Sequence, residues 1–242
     1  MNFFFLVEGK NTEVEAYPRF IEHFVDGYYQ VNTLDELEFN NYIVESGYGY
    51  PSIFNIFDDT LLKIAEFNKK NKHINKKVDT LVLVIDADNY KTPSIAKKSV
   101  EQRINEKKVM IKDAKISVRH IVQNLCIESW FLGNKEAFPD SYNDEFKKYV
   151  EYFNVKHCSP DKMHSPISGM TDAQYSYKYL VEMLYQSGMI YGKSKTQFVT
   201  SPNYIDGINN RYNDGDIQSF KELLDIFKLM KNAYTQEKRK RR

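Results

Sequence analysis

The stretch Leu81–Asp88, Leu-Val-Leu-Val-Ile-Asp-Ala-Asp, constrains this chain more than any other. Five apolar, mostly β-branched residues run straight into two aspartates at i and i+2. A short apolar run without alternation fits a strand buried on both faces, as in a parallel sheet. Carboxylates at the carboxyl end of such a strand stand where open α/β sheets bind their ligands. In extended backbone Asp86 and Asp88 point to the same side, and small Ala87 does not obstruct it. Two like charges there repel, so a divalent cation taking hard oxygen ligands, Mg2+ or Mn2+, is an obvious partner. The same pattern also describes an ordinary strand that ends in a solvated aspartate turn.

Read in order, Met1–Val7 is a first strand that ends at Glu8-Gly9 and turns into a helix. Thr12 and Glu15 have the spacing of a capping box. Val14, Tyr17, Phe20, Ile21 and Phe24 form its apolar face, with Pro18 inside the run. Glu8 thereby falls on the same sheet edge as Asp86 and Asp88. Glu13 lies in the first helical turn, where a carboxylate also complements the helix dipole. Asp26–Asn40 reads as a polar connection, and Asn41–Glu45 as a second strand. A turn containing Gly47 and Gly49 follows, then a helix with Ser52 as its cap. Those glycines suit either a close approach to phosphate or a tight βα turn. Asn68–Lys77 reads as a surface loop.

Beyond Asp88 the sequence predicts a basic helix over about 94–108 and a strand at Ile116–Val122. A short buried helix stopped by Gly133 comes next. Glu128 sits there among Ile127, Trp130 and Phe131, and an acid in such company must be paired, hydrogen-bonded or turned to water. It is a candidate partner of the metal ligands, or simply the polar face of the helix. Thr171–Tyr185 and Asp216–Asn232 read as helices, and Tyr191–Lys195 carries two lysines, Lys193 and Lys195. His157 and His164 lack metal-ligand spacing. The order strand, helix, strand, helix, strand, helix, strand implies a parallel α/β sheet with right-handed crossovers. The expected division is a domain over 1–135 and a mainly helical region over 136–242 with a disordered basic tail.

Charge is unevenly placed along the 242 residues. Residues 1–65 hold eleven acidic against three basic side chains, and residues 66–115 hold thirteen basic against seven acidic. An acidic site beside a basic block suits a polyanion track, although lysine-rich segments are commonly just solvated. No apolar run reaches the length of about 18–20 residues that a membrane helix needs. Phe3–Val7 is too short for a signal-peptide core and meets Glu8 at once, so a cytoplasmic protein without membrane contact is expected. Cys126 and Cys158 support neither a disulfide framework nor a four-ligand zinc site.

The ordered set Leu6-Val7-Glu8-Gly9-Lys10-Asn11-Thr12-Glu13, a glycine turn at Gly47 or Gly49, and Val84-Ile85-Asp86-Ala87-Asp88 resembles the Toprim domain. Topoisomerases, bacterial primases, small RNA-maturation nucleases and OLD-type nucleases share that domain, and the resemblance covers residues 1–135. It implies a Rossmann-like fold, with Glu8 as the metal-linked acid–base residue and Asp86 and Asp88 as metal ligands. The Glu-Gly-x-x-Thr-Glu form is similar to the stand-alone and OLD-type branch. That likeness implies a second acid near Glu13 helping to hold a metal, and a catalytic lysine matching Lys193 or Lys195. It further implies a Mg2+- or Mn2+-dependent nuclease acting on DNA or RNA, of the kind found as anti-phage defence effectors paired with a separately encoded ATPase.

Two rivals stand beside this reading. A haloacid-dehalogenase-type phosphatase also ends a strand in Asp-x-Asp, but Asn89-Tyr90 stands where that family places Thr or Val. A non-catalytic Toprim-fold protein would instead bind a partner ATPase or nucleic acid through its aromatic surface. The 18 Tyr and 16 Phe make sizeable interfaces available, a homo-oligomeric one included.

Overall fold

Phe3–Val7 forms the central strand, and all five of its residues are buried. Three phenylalanines, a leucine and a valine leave no face for water, so the strand needs partners on both edges and cover on both faces. Burying each of these side chains contributes about 1.5–3 kcal/mol. The computed structural model describes residues 1–72 and 76–240.

In chain order, β1 (Phe3–Val7) leads to α1 (Thr12–Phe24), β2 (Tyr29–Gln30), β3 (Asn41–Ser46), α2 (Ser52–Lys70) and β4 (Thr80–Asp86). There follow α3 (Pro93–Glu106), α4 (Lys108–Ala114), β5 (Ser117–Gln123) and α5 (Ile127–Phe131). The chain ends with α6 (Asp144–Tyr152), α7 (Asp172–Gln186), α8 (Pro202–Asn213) and α9 (Lys221–Lys240). The five-stranded sheet has the order β2-β3-β1-β4-β5. β1 pairs in parallel with β3, Phe3 opposite Tyr42, and with β4, Phe3 opposite Thr80. The architecture is an α/β, Rossmann-like parallel sheet flanked by helices.

The chain forms two compact units that interleave along the sequence. The first comprises Met1–Ile85, Ser94–Val122 and Glu222–Arg242, and the second Asp86–Pro93 and Gln123–Lys221. Neither has an edge at the expected boundary of 135. In the first unit α1 buries Tyr17, Phe20 and Ile21, and α2 buries Phe57, Leu61 and Ile64. The C-terminal helix α9 belongs to this unit. Phe227 stacks on Phe24 with ring centroids 5.5 Å apart, and the Tyr28 hydroxyl donates to the Met230 carbonyl at 3.2 Å. Residues 238–240 of the basic tail continue α9. Residues 241–242 of that tail, and 73–75 of the expected Asn68–Lys77 loop, lie outside the described residues.

Local details depart from the expected caps. Helix α1 begins at Thr12, so its cap position falls on Asn11, whose side chain makes no cap hydrogen bond. Thr12 is thus the first residue of the helix and not its cap. Likewise α2 begins at Ser52 with Pro51 in the cap position. Asn68 is helical and buried rather than part of a loop. Its amide donates to the carbonyls of Val78 (2.9 Å) and Ala114 (3.1 Å), and its oxygen accepts from the Val78 N–H.

In the second unit the Trp130 indole N–H donates to the Ser219 hydroxyl at 2.8 Å, and that hydroxyl donates to Asp161 at 2.9 Å. Arg211 of α8 is buried with its charge fully engaged. Its Nε donates to Asp216 at 2.6 Å, and its Nη atoms donate to the carbonyls of Val155 and Cys158, each at 2.8 Å. Removing one partner of a buried charged network leaves the others unsatisfied in low dielectric. Arg211→Ala is expected to lower the unfolding free energy by about 3–5 kcal/mol, and Arg211→Lys to recover only part of it, because an ammonium lacks the planar fork. Urea unfolding of the three proteins checks this; an unchanged midpoint for Arg211→Ala would contradict it.

Candidate metal centre

Glu8 follows the last residue of β1, Asp86 is the last residue of β4, and Asp88 lies two residues further on. Val7 stands opposite Val84 in the parallel pairing of these strands. All three acids therefore come to the carboxyl edge of the sheet. One carboxylate oxygen from each of Glu8, Asp86 and Asp88 lies within 4.8 Å of the other two. Strand geometry stops at Asp86, yet Asp88 is still held close. The Ala87 N–H donates to the carbonyls of Gln123 (3.0 Å) and Leu125 (3.1 Å), and the Tyr90 N–H donates back to the Ala87 carbonyl at 3.0 Å.

The glycine turn after β3 grips Glu8. The Gly49 N–H donates to the Glu8 carbonyl at 2.8 Å, and the Tyr50 N–H donates to its carboxylate Oε1 at 3.2 Å. Gly49 has φ of +85°, a conformation that glycine adopts without strain. The Glu8 carboxylate is thus held by the Tyr50 backbone amide, and the residue is largely withdrawn from water. Asp88 is half-buried. Burial pushes its carboxyl above the usual range, the Asn89 backbone N–H opposes that shift, Glu128 adds to it, Lys193 opposes it and Asp172 adds to it.

Other expected site residues are placed differently. Glu13 is buried, but it is not one of the three acids whose oxygens converge. Its carboxylate lies against Gly9, so closely that a Cβ at Gly9 would overlap it. Glu128 is buried in α5 and accepts a hydrogen bond from the Tyr191 hydroxyl at 3.1 Å. Lys193 is exposed, lies 5.9 Å from the Tyr177 ring centroid and acts electrostatically on Asp88. Lys195 is exposed and pairs through its backbone with Gly192. Of the two lysines, Lys193 is the one whose charge reaches Asp88. Neither the Tyr50 amide nor Tyr191 stood out in the sequence. A backbone amide carries no residue signal, and Tyr191 is separated from Glu128 by 63 positions.

Three carboxylates this close repel one another. At an effective dielectric of 20, two unit charges 4.8 Å apart cost about 3.5 kcal/mol. The donor set fits a hard divalent cation: it is all carboxylate oxygen, with no imidazole or thiolate in the group. Comparison with protein-family models, curated proteins and solved structures found no match to this chain. Among the described residues no helix is long and apolar enough to cross a membrane.

The contact between Gly9 and Glu13 makes a measurable coupling. Gly9→Ala is expected to destabilise the protein by about 1–3 kcal/mol, as overpacking does. Adding Glu13→Ala should cost less than the two single changes summed, because the second change removes the obstructing carboxylate. Additive costs in chemical unfolding would show that the two residues do not meet.

Proposed function

We propose that this protein is a Mg2+- or Mn2+-dependent nuclease of the Toprim type that hydrolyses phosphodiester bonds in DNA or RNA. The observation that carries this reading is the convergence of Glu8, Asp86 and Asp88 within 4.8 Å at the carboxyl edge of a parallel sheet. The three carboxylates would hold the cation. When bound there, a divalent cation supplies charge stabilisation at the phosphate oxygens.

The remaining work falls to the chain itself. Glu8, fixed by the Tyr50 amide, is positioned to exchange a proton with the attacking water or the leaving oxygen. Lys193, exposed and electrostatically coupled to Asp88, offsets negative charge that develops on the phosphate. Tyr191 holds Glu128 in its buried orientation, which keeps a further negative charge facing Asp88 and favours a cation at the site.

The test is cleavage of plasmid DNA, single-stranded DNA and tRNA with Mg2+ or Mn2+, comparing wild type with Asp86→Asn/Asp88→Asn. The double variant should lose at least about 100-fold in rate, the scale associated with removing a group that stabilises transition-state charge. Chelation of the metal should abolish cleavage by the wild type. Equal cleavage by both proteins would remove the acidic pair from the mechanism.

A further inference from the structure

On the first unit, helices α2 and α4 and the residues that follow them carry six exposed lysines. Helix α2 starts beside Glu8, after the glycine turn, and runs back to Asn68, whose amide bonds to Val78 just before β4 and to Ala114 at the end of α4. The C-terminal ends of α2 and α4 therefore meet at the amino edge of the sheet. Lys69, Lys70 and Lys72 lie at the end of α2, and Lys108, Lys112 and Lys115 lie along α4 and its cap. All six are exposed, and among the described residues none of them forms an ion pair. By contrast Arg103 and Lys107, at the near end of α4, are both tied to Asp58 of α2.

The spacing on α4 is informative. Positions 108 and 112 are i and i+4, so two like charges share one face of a two-turn helix, and Lys115 follows as its left-handed cap. Like charges at i, i+4 destabilise a helix. The helix dipole favours cations in the last turn, which accounts for Lys112 and for Lys69 and Lys70. It disfavours Lys108, which opens α4 at the positive end of the dipole, with no acid in that turn to compensate. Exposed cations outside any ion pair among the described residues, gathered on two packed helices, suit the repeated negative charge of a polyphosphate backbone.

We infer that this lysine surface, formed by the C-terminal end of α2 and by α4 with its cap, binds the sugar–phosphate backbone of nucleic acid. Binding here is sequence-independent, because lysine contacts to phosphate read no base edge. The end of this surface at Asn68 and Ala114 is separated from the carboxyl edge by the length of β1, five residues or about 17 Å. If the chain is a nuclease, as proposed above, a long strand spans both edges and a very short one reaches only the acids.

The experiment is fluorescence anisotropy of long labelled single-stranded and duplex oligonucleotides with the full chain, in EDTA so that no cleavage occurs, across a salt series. The variant replaces the six lysines with alanine. A control variant replaces Lys147, Lys148 and Lys178, exposed lysines of the second unit. Circular dichroism confirms that each protein is folded. The six-lysine variant should bind at least about 10-fold more weakly at moderate salt, with a slope of log affinity against log salt shallower by about 2 or more. The control should match wild type. Unchanged affinity and slope in the six-lysine variant, or an equal loss in the control, would overturn the proposal. Lysine-dependent capture by phosphatidylserine vesicles, with no nucleic-acid binding, would also overturn it. Because the assay needs no metal, it can succeed where the nuclease reading fails, and it can fail where plasmid cleavage succeeds.

Discussion

The register between β1 and β4 is the constraint on which the candidate site depends. Val7 stands opposite Val84, so the residue that leaves β1, Glu8, arrives level with the end of β4, where Asp86 sits. In a buried parallel sheet this register is strongly specified. A slip of one residue would turn every side chain of β1 to the opposite face. The wholly apolar strands Phe3–Val7 and Leu81–Ile85 tolerate burial on both faces. Charge can enter only where the apolar run stops, and in both strands it stops in an acid.

That placement sets apolar packing against electrostatic repulsion. Burial of the two strands draws the carboxylates together and strips water from Glu8 and Asp88, which raises the cost of keeping them all ionised. The surrounding backbone offsets part of this cost. The Tyr50 amide points at Glu8, and the Asn89 N–H favours the charged form of Asp88. Glu128, held by Tyr191, works in the opposite direction by adding negative charge facing Asp88. A site that accumulates negative charge in partial burial is one whose energy falls most when a cation arrives. Lys193 opposes part of this build-up at Asp88.

Much of the sheet was legible in the sequence, because unbroken apolar runs ending in glycine or acid leave few alternatives. The strands at Phe3, Asn41, Leu81 and Ile116 fall within a residue or two of their observed bounds. What escaped had no apolar signature or depended on distant partners. The edge strand β2 is two exposed residues. Helix α8 contains Gly207 and four asparagines, a composition that argues locally against a helix; its buried face of Tyr204, Ile205 and Ile208 outweighs that tendency. Helix α1 starts at Thr12 itself, one residue before the expected start. At the site, Glu8, Asp86 and Asp88 could be grouped from strand order alone. The separation of Glu13 from that group, and of Lys193 from Lys195, depends on side-chain reach within a turn, which residue spacing does not encode.

The central claim is that three carboxylates, brought together by strand register, make one cation site. Anomalous diffraction from crystals grown with Mn2+ tests it most directly. The account expects one strong peak with an oxygen of Glu8, of Asp86 and of Asp88 each at about 2 Å, the distance of a carboxylate bond to a small divalent cation. A peak bound elsewhere, or Glu8, Asp86 and Asp88 surrounding no metal in crystals saturated with Mn2+, would contradict it.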